Sequence, residues 1–170
     1  MRNLAIQGLR IAARERQVRQ IPRRDPVKGE CLCGSVKFEV DAPPSRIYQC
    51  HCSLCRKQSG TGSNAAFIVK ESQLHWSHDN GTISSYARST GFRSDFCARC
   101  GSPVPNQIGI TQYIWVPVGL LNNPGQLEIA MHLFMDSRAE WEPTPNIGVL
   151  HASTPSLEVV LVGLKLEFGT

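Results

Sequence analysis

The chain reads as short extended segments separated by turn residues. Val36, Phe38 and Val40 alternate with Lys37 and Glu39, the period-two pattern of a strand with one buried face, and Pro43-Pro44 ends it. Residues 46–49 form a second candidate strand leading into a cysteine-rich stretch. Residues 65–69 are a continuous apolar run, and residues 82–88 follow a turn at Asn80-Gly81. Residues 112–121, with Tyr113, Trp115 and Val116, read as a strand whose Pro117 belongs at an edge or a bulge. Residues 127–134 and 157–168 complete the strand-like segments. Beyond residue 28 no stretch sustains a helical period, so the expected fold is mainly β.

Residues 1–28 differ from the rest. Leu4, Leu9, Ile11, Val18 and Ile21 are interleaved with Arg10, Arg14, Arg16 and Arg19, which suits a basic helix, and Pro22-Arg23-Arg24-Asp25-Pro26 would stop it. An organelle-targeting reading is weakened by Glu15 and by the lack of serine in this stretch, so a solvated basic arm is expected. The arm distorts the overall charge. It holds eight Lys or Arg against Glu15 and Asp25, whereas the remaining chain has ten basic and twelve acidic residues, within a total of +4. The folded part is therefore not a basic nucleic-acid surface. A length of 170 residues suits one domain with a real core, and no apolar run is long enough to span a bilayer. With no export signal and many paired thiols, a reducing, cytoplasmic setting is expected.

The strongest chemical signal is the placement of the seven cysteines. They fall in three clusters, Cys31-Leu-Cys33, Cys50-His-Cys52-Ser-Leu-Cys55 and Cys97-Ala-Arg-Cys100. Thiols this close suit tetrahedral thiolate coordination of a soft ion such as zinc. In extended chain, positions i and i+2 share a face, so Cys31 with Cys33, and Cys50 with Cys52, can each grip one metal. Gly34 and Gly101 follow two of the clusters, where a tight turn needs positive φ. Four thiolates saturate one structural zinc and leave three, the number that holds a second zinc with one open position. We therefore pair Cys31 and Cys33 with Cys97 and Cys100, and expect two zinc ions per chain. Spacing alone also permits Cys97 and Cys100 to join two thiols of the middle cluster. It equally permits two inert structural zincs. A disulfide framework fits poorly with an odd count and strained C-x-C rings.

The motifs carry a resemblance. Gly29-Glu-Cys31-Leu-Cys33-Gly34-Ser-Val36-Lys-Phe38, the stretch from Cys50 through Arg56-Lys57 to Ser59-Gly60, and Phe96-Cys97-Ala-Arg-Cys100-Gly101-Ser102-Pro103 resemble the three motifs of the glutathione-dependent formaldehyde-activating enzyme family, related to the centromere protein V zinc domain. The segments Val118-Gly119-Leu120-Leu121-Asn122-Asn123-Pro124 and His132 to Trp141 resemble its closing stretches. The resemblance implies a β-tent of packed antiparallel sheets stapled by zinc over residues 29–141. It implies a structural zinc on Cys31, Cys33, Cys97 and Cys100, and a catalytic zinc on Cys50, Cys52 and Cys55. The implied reaction is carbon–sulfur lyase chemistry, joining glutathione and formaldehyde reversibly as S-hydroxymethylglutathione. A zinc-bound thiol would be a thiolate at neutral pH, although three thiolates already blunt the ion's power to polarise an aldehyde.

Arg56 and Lys57 are the candidate partners for the carboxylates of a glutathione-like thiol, and Ser59 and Gly60 would allow close backbone approach. Alternation turns His51 away from its neighbours' metal face, so it is expected to be packed or hydrogen-bonded. His75, His78 and His151 are expected to be ordinary core or surface histidines, and Trp115 and Trp141 to be packing residues. Residues 142–170 extend past the resemblance. Their β-prone run, Leu157-Glu-Val-Val-Leu-Val162, would add a strand or pair with a second subunit. The alternative to an enzyme is a non-catalytic zinc-stabilised module that binds a small molecule or a protein.

Overall fold

Three sheets carry the chain in this computed structural model, which describes residues 24–78 and 81–166. The first joins β1 (Val27–Glu30), β2 (Lys37–Val40) and β5 (Leu74–His78) in antiparallel order. The second, central sheet has six strands. From one edge these are β12 (Val149–Leu150), β11 (Glu128–Leu133), β3 (Arg46–Cys50), β4 (Asn64–Lys70), β10 (Tyr113–Pro117) and β9 (Asn106–Gln107). The third joins β6 (Ile83–Ala87), β7 (Arg93–Cys97) and β8 (Pro103–Val104), again antiparallel. The fold is mainly β, as the alternation predicts. Within the central sheet β11 runs parallel to both β3 and β12, a feature that local pattern does not reveal.

Burial on both faces explains the unbroken apolar run of β4. Phe67 and Val69 point to one side and pack with Ile47, Ile114 and Val116 against Phe38 and Val40 of the first sheet. Ala66 and Ile68 point to the other side with Tyr48, Cys50, Met131 and Leu133. A strand covered twice has no polar face to show. Pro117 ends β10 opposite Ala66, beyond the two positions that β9 covers, so its missing N–H interrupts no ladder on that side.

Two short helices depart from the expectation of an all-strand core. The first, α1 (Ser53–Ser59), starts immediately after β3. The second, α2 (Leu157–Gly163), occupies the run read as an added strand. Leu157, Val160, Leu161 and Leu164 recur at i, i+3, i+4 and i+7, a helical stripe that closes over the second face of the central sheet. Ser156 caps it by accepting the Val159 N–H at 3.4 Å. The β-branched valines masked this period, because Val159 and Val162 lie on the exposed side. The strand that residues 142–170 do add is β12. Residues 1–23, with the expected basic helix, lie outside the described residues, as do Asn80 of the expected turn and Phe168.

Gly29 of β1 sits opposite Phe38, whose fully buried ring also makes an edge contact with Trp76 at 6.0 Å. A Cβ at Gly29 would lie 2.7 Å from Phe38 Cε2, whereas one at Gly119 would meet nothing within 4 Å. Gly29→Ala should therefore destabilise the protein by about 1–3 kcal/mol in urea unfolding. Gly119→Ala should change it by less than about 0.5 kcal/mol. Equal effects of the two substitutions would contradict this packing.

Candidate metal centre

Two turns and one strand–helix junction gather the seven thiols into two groups. Cys31 and Cys33 lie in a turn after β1, closed by Gly34 N–H donating to the Cys31 carbonyl at 2.9 Å. Cys97 ends β7 and Cys100 lies in the turn that follows, closed by Gly101 N–H donating to the Cys97 carbonyl at 2.8 Å. Both glycines have the positive φ their positions predicted, 71° and 76°. The ligand-bearing chain at Cys31 and Cys33 is thus a turn rather than an extended strand. Turns aim both sulfurs inward while freeing backbone N–H groups, and Val36 N–H donates to Cys31 Sγ at 3.3 Å.

The four sulfurs of Cys31, Cys33, Cys97 and Cys100 lie within 4.8 Å of one another. A tetrahedron with Zn–S bonds of about 2.3 Å separates its sulfurs by about 3.8 Å. Cys31 and Cys33 are 3.6 Å apart, and Cys33 and Cys97 are 3.8 Å apart. Hydroxyls flank the group. Cys100 Sγ is 3.3 Å from Ser102 Oγ, and Cys33 Sγ is 3.3 Å from Ser35 Oγ, which also accepts from Arg99. Ser102 pulls Cys100 down to about 5, and Ser35 lowers Cys33 from the ordinary thiol value. Burial pushes Cys97 up to about 11. Cys100 is thus a ready thiolate, Cys33 is shifted the same way, and Cys97 needs a cation to give up its proton. The donor set, its spacing and its burial fit zinc.

The second group forms where β3 runs into α1. Cys50 ends the strand, Cys52 is the N-cap of the helix, and Cys55 lies in its first turn. Cys52 Sγ accepts the Cys55 N–H at 3.4 Å, taking the place an oxygen usually fills at this position. The three sulfurs again lie within 4.8 Å of one another, and no fourth ligand atom is grouped with them among the described residues. Hydrogen bonds from Cys50 and then Cys55 pull Cys52 down to about 2. The same bond pushes Cys50 up to about 11, and Cys55 goes far above the ordinary range. Three sulfurs that concentrate charge on one of their number suit a cation that displaces the remaining protons. All seven cysteines are free of disulfides.

The other expected site residues fall on different faces of α1. At about 100° per residue, Leu54, Lys57 and Gln58 share one face, Cys55 and Ser59 a second, and Arg56 lies opposite the first. Lys57 lines a cavity of about 430 Å³ together with Leu54, Gln58, Arg88, Phe92, Phe96 and neighbouring residues of the third sheet. Gln58 braces that cavity by donating to Ser94 Oγ at 2.7 Å and accepting from Asn64 at 3.0 Å. Arg56 does not line it, and its Nε is buried with no partner among the described residues. Ser59 donates to the Cys55 carbonyl at 2.9 Å, and Gly60 forms the left-handed C-cap, its N–H donating to the Arg56 carbonyl. These contacts give both residues a part in ending the helix.

Sequence reasoning did not find the partners of His51. Its ring is buried, with Nδ1 2.9 Å from Glu142 Oε2 and Nε2 2.9 Å from His132 Nδ1. Burial, then the neighbouring His51, hold His132 below its ordinary value, so it is neutral near pH 7. The only signal in the chain was the expectation that His51 points away from the thiols. Nothing local links position 51 to 132 or 142. Arg88, the second cation of the cavity, was also missed, because it lies in a turn outside every cysteine motif.

Two comparisons with known proteins carry the same description. The family model for the glutathione-dependent formaldehyde-activating enzyme matches residues 26–137. A Halomonas elongata protein named "Putative glutathione-dependent formaldehyde-activating enzyme" is 35% identical over 82 residues, which are 45% of this chain. The chain spans about half the length of that curated relative, 52%. Among solved structures, a Rhodobacter sphaeroides protein matches at 24% identity with a TM-score of 0.48, over 58% of this chain and 90% of that one.

The grouping of the thiols sets an expectation for metal content. Freshly purified, reduced protein should hold two zinc ions per chain, one leaving much faster than the other in a mild chelator. Metal analysis and competition with a chromophoric chelator would measure both, and a single tightly held ion would contradict the second group as a metal site.

Proposed function

This chain belongs to the glutathione-dependent formaldehyde-activating enzyme family, and from that membership we propose that it is a zinc-dependent carbon–sulfur lyase acting on a small thiol adduct. The observation that carries the reading is the inequality of the two thiol groups, four in one and three in the other. Cys31, Cys33, Cys97 and Cys100 would hold a structural zinc, and Cys50, Cys52 and Cys55 a catalytic one, within a domain spanning about residues 29–141. A zinc held by Cys50, Cys52 and Cys55 would supply the charge that lowers an incoming thiol's pKa and makes it a thiolate at neutral pH. In the addition direction the thiol sulfur bonds to the aldehyde carbon, the carbonyl π pair moves to oxygen, and the proton released by the thiol ends on that oxygen. The reverse direction breaks the same C–S bond.

The chain's own part is to bind and orient the thiol. Lys57 and Arg88 line the cavity beside α1 and form no ion pair among the described residues, so both are available to a substrate carboxylate. Phe96, Gly101 and Pro103 form the opposing wall next to Cys97 and Cys100. Glutathione fits this reading as a thiol with two carboxylates. The expected role of Arg56 passes to Arg88, since Arg56 turns away from the cavity. Free thiols in this number suit a reducing compartment. No helix among the described residues is long and apolar enough to cross a membrane.

Two experiments test the assignment. Cys100→Ser should unfold the domain broadly, because its metal ties together turns that lie 64 residues apart at Cys33 and Cys97 and its binding becomes folding free energy. Cys55→Ser should leave the fold largely intact while emptying the second site. Equal unfolding of both variants would contradict the division of roles. Separately, Lys57→Gln and Arg88→Gln should each weaken glutathione binding by roughly threefold to thirtyfold, or about 0.7–2 kcal/mol for partly solvated contacts. Neither should affect an uncharged thiol of similar size, and Arg56→Gln should affect neither ligand. Binding without turnover in a formaldehyde assay would instead point to a small-molecule recognition module.

A further inference from the structure

His51 stands between two thiols of the second group, and its backbone and ring are both tied down. Its N–H donates to the Leu133 carbonyl at 2.9 Å, extending the β3–β11 ladder in which Cys50 faces Leu133. Its ring completes a row from half-buried Glu142 to buried His51 and His132, with 2.9 Å at each step and the two imidazoles tilted by 36°. A carboxylate accepts, so Glu142 Oε2 takes a hydrogen bond from His51 Nδ1–H, and His51 Nε2 shares a second hydrogen bond with His132 Nδ1. One carboxylate thus fixes the orientation of the His51 ring and, through it, that of His132.

Glu142 is also wedged against the exit of α1. A Cβ at Gly62 would lie 2.6 Å from Glu142 Cδ and 2.7–2.8 Å from its two oxygens, so a side chain there would displace the carboxylate. The same side chain therefore touches the chain just before the helix, at His51, and just after it, at Gly62. Between those points lie Cys52 and Cys55. Glu142 falls outside the matched span of residues 26–137, in the extension that also supplies β12 and α2.

We propose that Glu142 is a positioning residue for the three-thiolate site, acting through His51 and His132 to hold Cys50, Cys52 and Cys55 at metal-binding separation. The inference rests on the reading that this group holds a metal. The four-thiolate site in the same molecule provides an internal control. Loss of a residue that orients metal ligands typically lowers metal affinity by roughly 10–100-fold.

The test uses full-length protein loaded with zinc, or with cobalt(II) for absorption spectra, and follows release of both ions to a chromophoric chelator. Glu142→Ala should speed release from the labile site by roughly 10–100-fold and leave the slow ion unchanged. It should also shift the cobalt d–d bands of the labile site. Glu142→Gln, whose amide oxygen still accepts from His51 Nδ1, should stay within about threefold of wild type. Gly62→Ala, which displaces the carboxylate without removing it, should move release in the same direction as Glu142→Ala. Wild-type release in Glu142→Ala would overturn the proposal, as would equal acceleration at both sites. A wild-type protein holding one ion would overturn the three-thiolate reading, and the proposal with it.

Discussion

Seven sulfurs facing one another in two groups are the constraint around which the rest of the molecule is arranged. Each group contains at least one thiol held below and one held above the ordinary range: neighbouring sulfurs divide Cys50 from Cys52, while a hydroxyl lowers Cys100 and burial raises Cys97. Further ionisation within a group requires a cation to offset the repulsion. At the four-thiol group that cation would join the turn after β1 to the turn after β7, and so hold the first and third sheets together. Little else does so there, since the shared core is only Cys31, Val36, Cys97 and Val104 with a few half-buried neighbours. A structural ion would therefore substitute for apolar burial at this junction.

The three-thiol group is supported differently. Cys50 belongs to the central sheet and is buried on the face closed by α2, in the cluster with Tyr48, Met131, Leu133 and Leu161. Cys52 and Cys55 pack against that cluster from α1. Burial, and then the cysteines beside it, push Tyr48 well above its usual range, so it stays a neutral phenol. The group thus has one thiol at the end of a strand, one at the N-cap of a seven-residue helix and one in that helix's first turn. That helix presents the thiols on one face and lines the cavity with another. A substrate held by Lys57 and Arg88 would lie beside the same short element that carries the candidate metal ligands.

Much of this was legible in the chain. The strands around Phe38, Phe67, Ile114 and Met131 follow from alternation or from runs bounded by turns, and the thiol grouping follows from ligand counting. Gly34 and Gly101 were legible because a C-x-C or C-x-x-C turn has few ways to close. The misses share a cause, which is dependence on contacts distant in sequence. The helix at Leu157 looked like a strand because valine propensity outweighed a period visible only once the buried face is known. Glu142 and His132 meet His51 across 91 and 81 residues. Arg88 acquires its place from the third sheet folding against α1. Local chemistry specified the ligands, and tertiary packing specified their supports.

The central claim is that the three-thiolate group holds a metal whose remaining position accepts a substrate thiol. Cadmium-113 NMR of the fully substituted protein tests it directly, because each ion gives its own resonance and the shift reports the number of bound sulfurs. The account predicts two resonances of equal intensity. On adding glutathione, the one characteristic of three sulfurs should move toward the four-sulfur position while the other stays fixed. A single resonance, or two that both ignore glutathione and uncharged thiols, would contradict it.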